Sequence, residues 1–292
     1  MPGSTLASGS REMGAFLAFS RRFARNRAAL AGLVALLGVF AMALLAQRLF
    51  PDDPWDMVAQ PFTWPGQDAD YPLGSDMLGR DLASGLFHGA KVSLLIGFVA
   101  TLLAVCFGTM VGAIAGYYRG WVDDLLMRFT ELFQTIPQFI FAIVVVAILT
   151  PSVPNVTLAI ALVAWPSIAR LVRGEFLAIR EREFVQAAVA IGMGDVRIIL
   201  TQILPNALGP IIVTGSLLVA TSILTEAGLA FLGLGDPNVM SWGTIIGAGR
   251  DALRSAWYIT AVPGFAILIT VLALNLVGEG LNDALNPRLK NR

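Results

Sequence analysis

Apolar residues in this chain come in long unbroken blocks rather than in alternation with polar ones. Six blocks stand out, at approximately 28–50, 92–118, 125–149, 156–172, 208–234 and 258–278. Crossing roughly 30 Å of hydrocarbon takes about 20 apolar residues as a helix. Lipid offers no hydrogen-bond partners to free backbone groups, so each block is expected to be helical. No period-two pattern suggests a barrel. The expected fold is all-α, a polytopic membrane protein with six transmembrane helices. The third block carries Pro137, which predicts a kink, because proline removes a backbone donor and clashes with the preceding turn. The fourth is short and carries Pro166, so its edges are poorly marked. The first block follows the basic stretch RRFARNR and contains AMA at 41–43, as a signal peptide would. Its apolar run of about 20 residues exceeds the roughly 7–15 of a signal core, which makes it a retained anchor.

Composition agrees. Of 292 residues, 56% are hydrophobic and only 14% charged, against about 25% charged in soluble domains. Mean hydropathy is +0.73. Formal net charge is zero, with no basic footprint for nucleic acid. A lone Cys106 cannot form an internal disulfide, and a lone His88 makes no metal site and reads as a solvated loop residue. There is no G-x-x-x-x-G-K-S/T phosphate cradle; GLFHGAK has the wrong spacing, with Ala90 before the lysine. G-x-S-x-G and H-E-x-x-H are absent too. Lys91 and Ser93 stand two apart, so on a helix they point to different faces and make no nucleophile–base pair. No catalytic residue is expected.

The distribution of Lys and Arg sets an orientation. Only Arg48, Arg80, Lys91, Arg250 and Arg254 fall on one side of the six-span scheme, and the other basic residues fall on the opposite side. Both termini are therefore expected in the cytoplasm. The outer loop 51–90 is acidic and proline-punctuated, with Asp52, Asp53, Asp56, Asp68, Asp70, Asp76 and Asp81. It is too long for a tight turn and is expected to pack on the outer surface. Trp121, Trp242 and Trp257 lie near span ends, where aromatic belts sit.

One stretch, EFVQAAVAIGMGDVRIILTQILPN at 183–206, fits neither a span nor a plain loop. Phe184, Ala188 and Ile191 recur at helical spacing on one face. Gly192 then stops that helix, Asp195 is placed to cap a second through Val196, Ile199 and Ile203, and Pro205 ends it. Ala187 and Ala188 permit close approach by another backbone or side chain. Surplus apolar surface of this kind marks a contact. Periodicity alone leaves two readings open: a docking element for a partner, or a hairpin lying on lipid.

Gln186-Ala187-Ala188, then Gly192, then Ile203-Leu204-Pro205 resembles the EAA loop of the membrane subunits of binding-protein-dependent ABC importers. The glutamate of that pattern is Gln186 here, which keeps the length and removes the charge. YPLGSDMLGRDLASGLFHGAKVSLLIG (71–97), TEAGLAFLGLGDPNVMSWG (225–243) and NLVGEGLNDALNPRLK (275–290) resemble the dipeptide/oligopeptide/nickel branch of that family, in its second, C-type permease. The resemblance implies a type I importer permease with a MetI-like core over 91–292, preceded at 1–90 by a basic cytoplasmic segment, the anchor and a periplasmic loop. It implies a heterodimer with a second homologous permease, two ATPase subunits and a periplasmic binding protein, in the bacterial inner membrane. ATP and Mg would be used by the ATPases, with no cofactor or metal on this chain. Residues 183–206 would be the coupling helix seated on an ATPase subunit. The substrate could be dipeptides, oligopeptides, glutathione-like peptides or nickel chelates.

Among charged groups in the spans, Glu226 is costly at mid-bilayer, by about 2.5–3.5 kcal/mol on insertion scales. It could face the path or a gate, or bond to a neighbouring helix in a structural, interface-facing role. Glu131 and Gln134 are candidates for the wall of a cytoplasmic vestibule. A self-contained secondary transporter would call for inverted repeats and several buried ionisable groups, of which only Glu226 is evident.

Overall fold

A computed structural model describes residues 23–285, which are mostly helical, with no strand among the described residues. The long helices are α1 (Arg27–Leu49), α2 (Leu82–Tyr118), α5 (Val153–Arg180), α8 (Leu204–Phe231) and α10 (Tyr258–Leu285). Shorter ones are α3 (Gly120–Gln134), α4 (Gln138–Leu149), α6 (Glu183–Ala190), α7 (Asp195–Ile198) and α9 (Trp242–Gly249). Among the described residues five helices are long and apolar enough to cross a membrane, and α3 with α4, bent by 81°, bring the number to six when the pair is counted as one broken span. Pro137 was expected to kink that span; it instead caps α4 after a full break.

α2 packs most intimately on α5, and glycines make this possible. Gly108, Gly112 and Gly116 recur every four residues along one face of α2. A Cβ at Gly112 would stand 2.3 Å from the Ala169 carbonyl oxygen, and one at Gly116 would stand 2.6 Å from Phe176 Cβ. Gly108 would meet the Trp165 carbonyl at 2.7 Å. Small residues four apart let two membrane helices approach backbone to backbone, where dispersion rather than hydrophobicity holds them. Gly97 does the same for α8, whose Ile223 side chain would lie 2.6 Å from an added Cβ. On the other flank α1 leans on α10: Gly280 fits against Ala29, and the Asn26 amide donates to Asp283 at 3.2 Å.

Helix ends depart from the sequence expectation where polar residues continue a helix. α2 begins ten residues before the apolar block because the Asp81 carboxylate caps it, accepting from the Ala83 and Ser84 N–H groups. Burial pushes the Asp81 carboxyl up, while these two N–H bonds pull it down. His88 consequently sits on α2, half-buried, with Nε2 3.0 Å from the Phe50 carbonyl, and is no solvated loop residue. α5 runs through Pro166 from the Ser152 cap to Arg180. Pro205 does not end a helix: a π turn at Ile199–Ile203 precedes it, and the chain continues helical into α8. A widened turn is where a proline's missing donor and ring clash are absorbed.

The loop between α1 and α2 packs on one end of the bundle, as expected from its length. The Tyr258 hydroxyl donates to the Thr63 and Ser75 carbonyls, each at 2.9 Å. The Arg80–Asp76 ion pair sits under Trp55. α9, which the hydrophobic pattern did not announce, folds back into this end under a Ser241–Thr244 capping box. Trp242 is fully buried there with its indole N–H on the Leu86 carbonyl, so it belongs to the core and not to an aromatic belt. Trp121 and Trp257 are exposed.

Gly112→Leu should cost the fold more than the about 1–3 kcal/mol of ordinary overpacking, since rigid backbone opposes the new side chain. Gly174→Ala, on the open face of α5 with nothing within 4 Å, should be neutral or slightly stabilising. Thermal unfolding of the two detergent-solubilised variants checks this; equal midpoints would show that the α2–α5 seam does not hold the fold.

Candidate functional site

Residues 183–206 fold as a compact element at the bundle end opposite the α1–α2 loop. α6 ends at Ala190 with Ile191 as its C-cap, and Gly192 follows at φ +79°. The Met193 N–H reaches back to the Ala188 carbonyl at 3.1 Å and the Gly192 N–H to Val189 at 2.9 Å. This left-handed exit, and not crowding, is why the position suits glycine: a Cβ there would have open space around it but a strained backbone. Asp195 was expected to cap the next helix. Gly194 holds the cap position instead, and Asp195 accepts a 2.8 Å bond from the Tyr117 hydroxyl at the end of α2. The Arg180 guanidinium lies over the same tyrosine ring, 5.0 Å from its centroid.

The element has two apolar faces. Val185, Ala188, Ile198 and Ile203 turn inward and join Tyr117, Phe176 and Ile179 in one buried cluster. Phe184, Val189, Ile191, Val196 and Leu200 turn outward, with Ile191 78% exposed and Val196 66% exposed. The single stripe read from Phe184, Ala188 and Ile191 is therefore split: Ala188 faces its own chain and the other two face out. Among the motif residues, Gln186, Ala187, Gly192 and Pro205 are exposed, Leu204 is half-buried, and Ala188 and Ile203 are buried.

Glu226 is only 2% exposed and lies inside the chain. It accepts from Ser241 Oγ at 2.6 Å and from Ser93 Oγ at 3.2 Å, and Ser93 Oγ in turn accepts the Trp242 backbone N–H at 3.2 Å. α8, α2 and the start of α9 are thereby tied together. Within this chain Glu226 is bonded to its neighbouring helices, which is the structural arrangement among those expected for it. Lys91 points outward, so Ser93 and Lys91 form no pair. Glu131 is exposed and Gln134 half-buried at the end of α3, beside the break in the third span, and Glu226 does not join them.

Sequence reasoning passed over an ion pair on α3. Arg173 of α5 grips Asp123 with both guanidinium arms, Nη2 to Oδ2 at 2.6 Å. A paired fork of this kind is among the stronger charge contacts. Asp123 and Arg173 were visible as charges at the edges of apolar blocks; their partnership depends on how α3 folds across α5.

Comparison with known proteins places the chain. Residues 108–291 match the family model described as the binding-protein-dependent transport system inner membrane component, and residues 17–67 match the N-terminal transmembrane domain of oligopeptide transport permease C. The chain belongs to this family of ABC importer permeases, whose ATPase is a separate subunit. It is 39% identical over 279 residues to the di/tripeptide transport system permease protein DppC of Pseudomonas aeruginosa, covering 94% of this chain and 92% of that one. It is 38% identical over 274 residues to the glutathione transport system permease protein GsiD of Pectobacterium atrosepticum, covering 94% and 91%. It is 37% identical over 273 residues to the oligopeptide transport system permease protein OppC of Haemophilus influenzae, covering 92% and 87%. The fold is similar to that of a chain in a structure of the MetNI methionine ABC transporter described as inward facing, with a TM-score of 0.59 at 19% identity, over 69% of this chain and 96% of that chain.

Glu226→Ala should destabilise the chain, since it strands the Ser93 and Ser241 hydroxyls at about 1–3 kcal/mol for each buried group left unpaired. Glu226→Gln, which keeps an acceptor, should lose less. Thermal unfolding of the solubilised variants reads this order; an Ala variant as stable as the parent would remove the network from the fold's support.

Proposed function

We propose that this chain is one of two related permeases that together form the translocation path for di- or oligopeptides in a bacterial inner membrane. A binding protein delivers the peptide on the side of the α1–α2 loop, and two ATPase subunits drive the cycle from the side of residues 183–206. Both termini then lie in the cytoplasm, in keeping with the excess of Lys and Arg there. Peptide as substrate is supported by relatives named for dipeptides, oligopeptides and glutathione.

The observation that carries the reading is the two-faced insert. A hairpin merely resting on lipid needs one apolar face. This element has one face locked into the core of its own chain and a second left open. That is what a part needs if it is to take a push from a partner and pass it on without deforming. The open face, with Phe184, Ile191, Val196 and Leu200, is the seat for an ATPase groove; Gln186, Ala187, Gly192 and Pro205 lie beside it, and Ala188, Ile203 and Leu204 hold the element in place. ATP and Mg act on the ATPases. Their closure would move the element together with α2, through Tyr117–Asp195, and with α5, through Phe176 and Ile179.

Ile191→Asp and Val196→Asp alter exposed positions, so the chain should keep its stability and its partner permease. They should lose co-purifying ATPase subunits and ATP-driven dipeptide uptake in reconstituted vesicles, because a charge is set against an apolar seat. Ala188→Arg should differ, by destabilising the chain itself. Retention of the ATPases with uptake at the parental rate in both Asp variants would overturn the docking role. Uptake by the chain alone, driven by an ion gradient, would overturn the importer reading altogether.

A further inference from the structure

The third span is broken inside the membrane, and the break lies on the surface of the chain. α4 has 12 residues, which is about 18 Å of helix against roughly 30 Å of hydrocarbon. The turn at Thr135–Pro137 therefore lies well below the membrane surface. Phe133, just before it, packs on Trp165 at 5.2 Å between centroids, and Trp165 is central in α5. Thr135, Ile136, Pro137 and Gln138 are nevertheless exposed. No side chain caps the start of α4, whose first N–H groups have no acceptor within the helix. Non-helical backbone at this depth is tolerated only where protein covers it or water reaches it.

The surroundings decide between those two. A cleft beside the break carries Gln138, Thr221, Ser222 and Thr225 among apolar residues that include Phe139, Ile160 and Leu218. Thr221 and Thr225 follow each other at one turn's spacing on α8; their hydroxyls donate to the Leu218 and Thr221 carbonyls and keep acceptor lone pairs free. Gln134 and Glu131 continue the polar line along α3. These polar groups form a strip on a face that also carries the exposed Ile136, Phe139 and Ile140, whereas the exposed stretch of α10 from Phe265 through Leu268 to Leu272 has no exposed polar side chain between them.

We propose that the break at Thr135–Pro137, with Gln138, Thr221 and Thr225, forms a water-lined wall of the path along which the uncharged main chain of the transported peptide passes. This rests on the importer reading above and names the face of the chain that serves it. Amides and hydroxyls without formal charge, beside a break offering backbone groups, match the donors and acceptors of a peptide main chain and make no demand on its side chains.

The test uses the full complex in vesicles, carrying Cys106→Ala so that the native thiol is silent, with Gln138→Cys, Thr225→Cys or, as the lipid-facing control, Leu272→Cys. A charged, membrane-impermeant thiol reagent is applied from both sides. The first two should react roughly tenfold faster than the control or more, since each unit that apolar surroundings add to a thiol pKa removes a factor of ten in thiolate. Saturating dipeptide during turnover should slow them and leave the control unchanged. If both react as slowly as Leu272→Cys in vesicles that import dipeptide at the parental rate, the wall lies elsewhere, while the importer reading stands. If the parental complex imports no peptide at all, it is the function proposed above that fails.

Discussion

Everything in this fold hangs on the absence of side chains at three positions of α2. In hydrocarbon there is no hydrophobic gain from pressing two apolar helices together, because lipid tails already solvate them. What remains is contact at van der Waals distance, and Gly108, Gly112 and Gly116 supply it against α5. Once α2 and α5 are fixed, α3 is placed by Asp123–Arg173, α8 by Gly97 and the Glu226 network, and the insert by Tyr117, Phe176 and Ile179. The seam and the insert share residues: Phe176 meets Gly116 on one side and the core of the insert on the other. On the function proposed above, a displacement of the insert would pass to the seam through these packed side chains.

How far the sequence announced this depends on the physics of each part. The apolar blocks announced the spans, because hydropathy is a one-body property that survives folding. The ends of helices were less visible. Ser84, Gly85, His88 and Gly89 look like loop, yet they extend α2 because Asp81 caps it and Met240 and Trp242 fill the space beside the two glycines. The two-faced nature of the insert was hidden for a similar reason: periodicity says that Phe184, Ala188 and Ile191 lie on related faces, but not which of them the rest of the chain covers. The glycine repeat was open to reading as a small-residue motif. Its partner was not, since α5 presents backbone carbonyls at Trp165 and Ala169 and no distinctive side chain there.

The chain places polar groups inside the membrane in two opposite ways, and the contrast separates support from function. Glu226 is sealed: its two serine donors and the Trp242 N–H that completes the network lie within the same chain, and 2% exposure leaves nothing for a substrate to touch. A sealed acid costs insertion energy and returns it by joining α2, α8 and α9 in one arrangement. The break before α4 is open: its helix start is uncapped, its residues face outward, and Thr221 and Thr225 stand beside it with acceptors unspent. An arrangement of that kind gains nothing for a lone chain in lipid and calls for water, a polar molecule or a second protein chain to complete it. Hydropathy marks Glu226 as the costliest group in the spans, because it weighs each group and ignores who shares it. Counting hydrogen-bond partners adds that this acid is shared fully within the chain, while the first N–H groups of α4 have no acceptor in their helix.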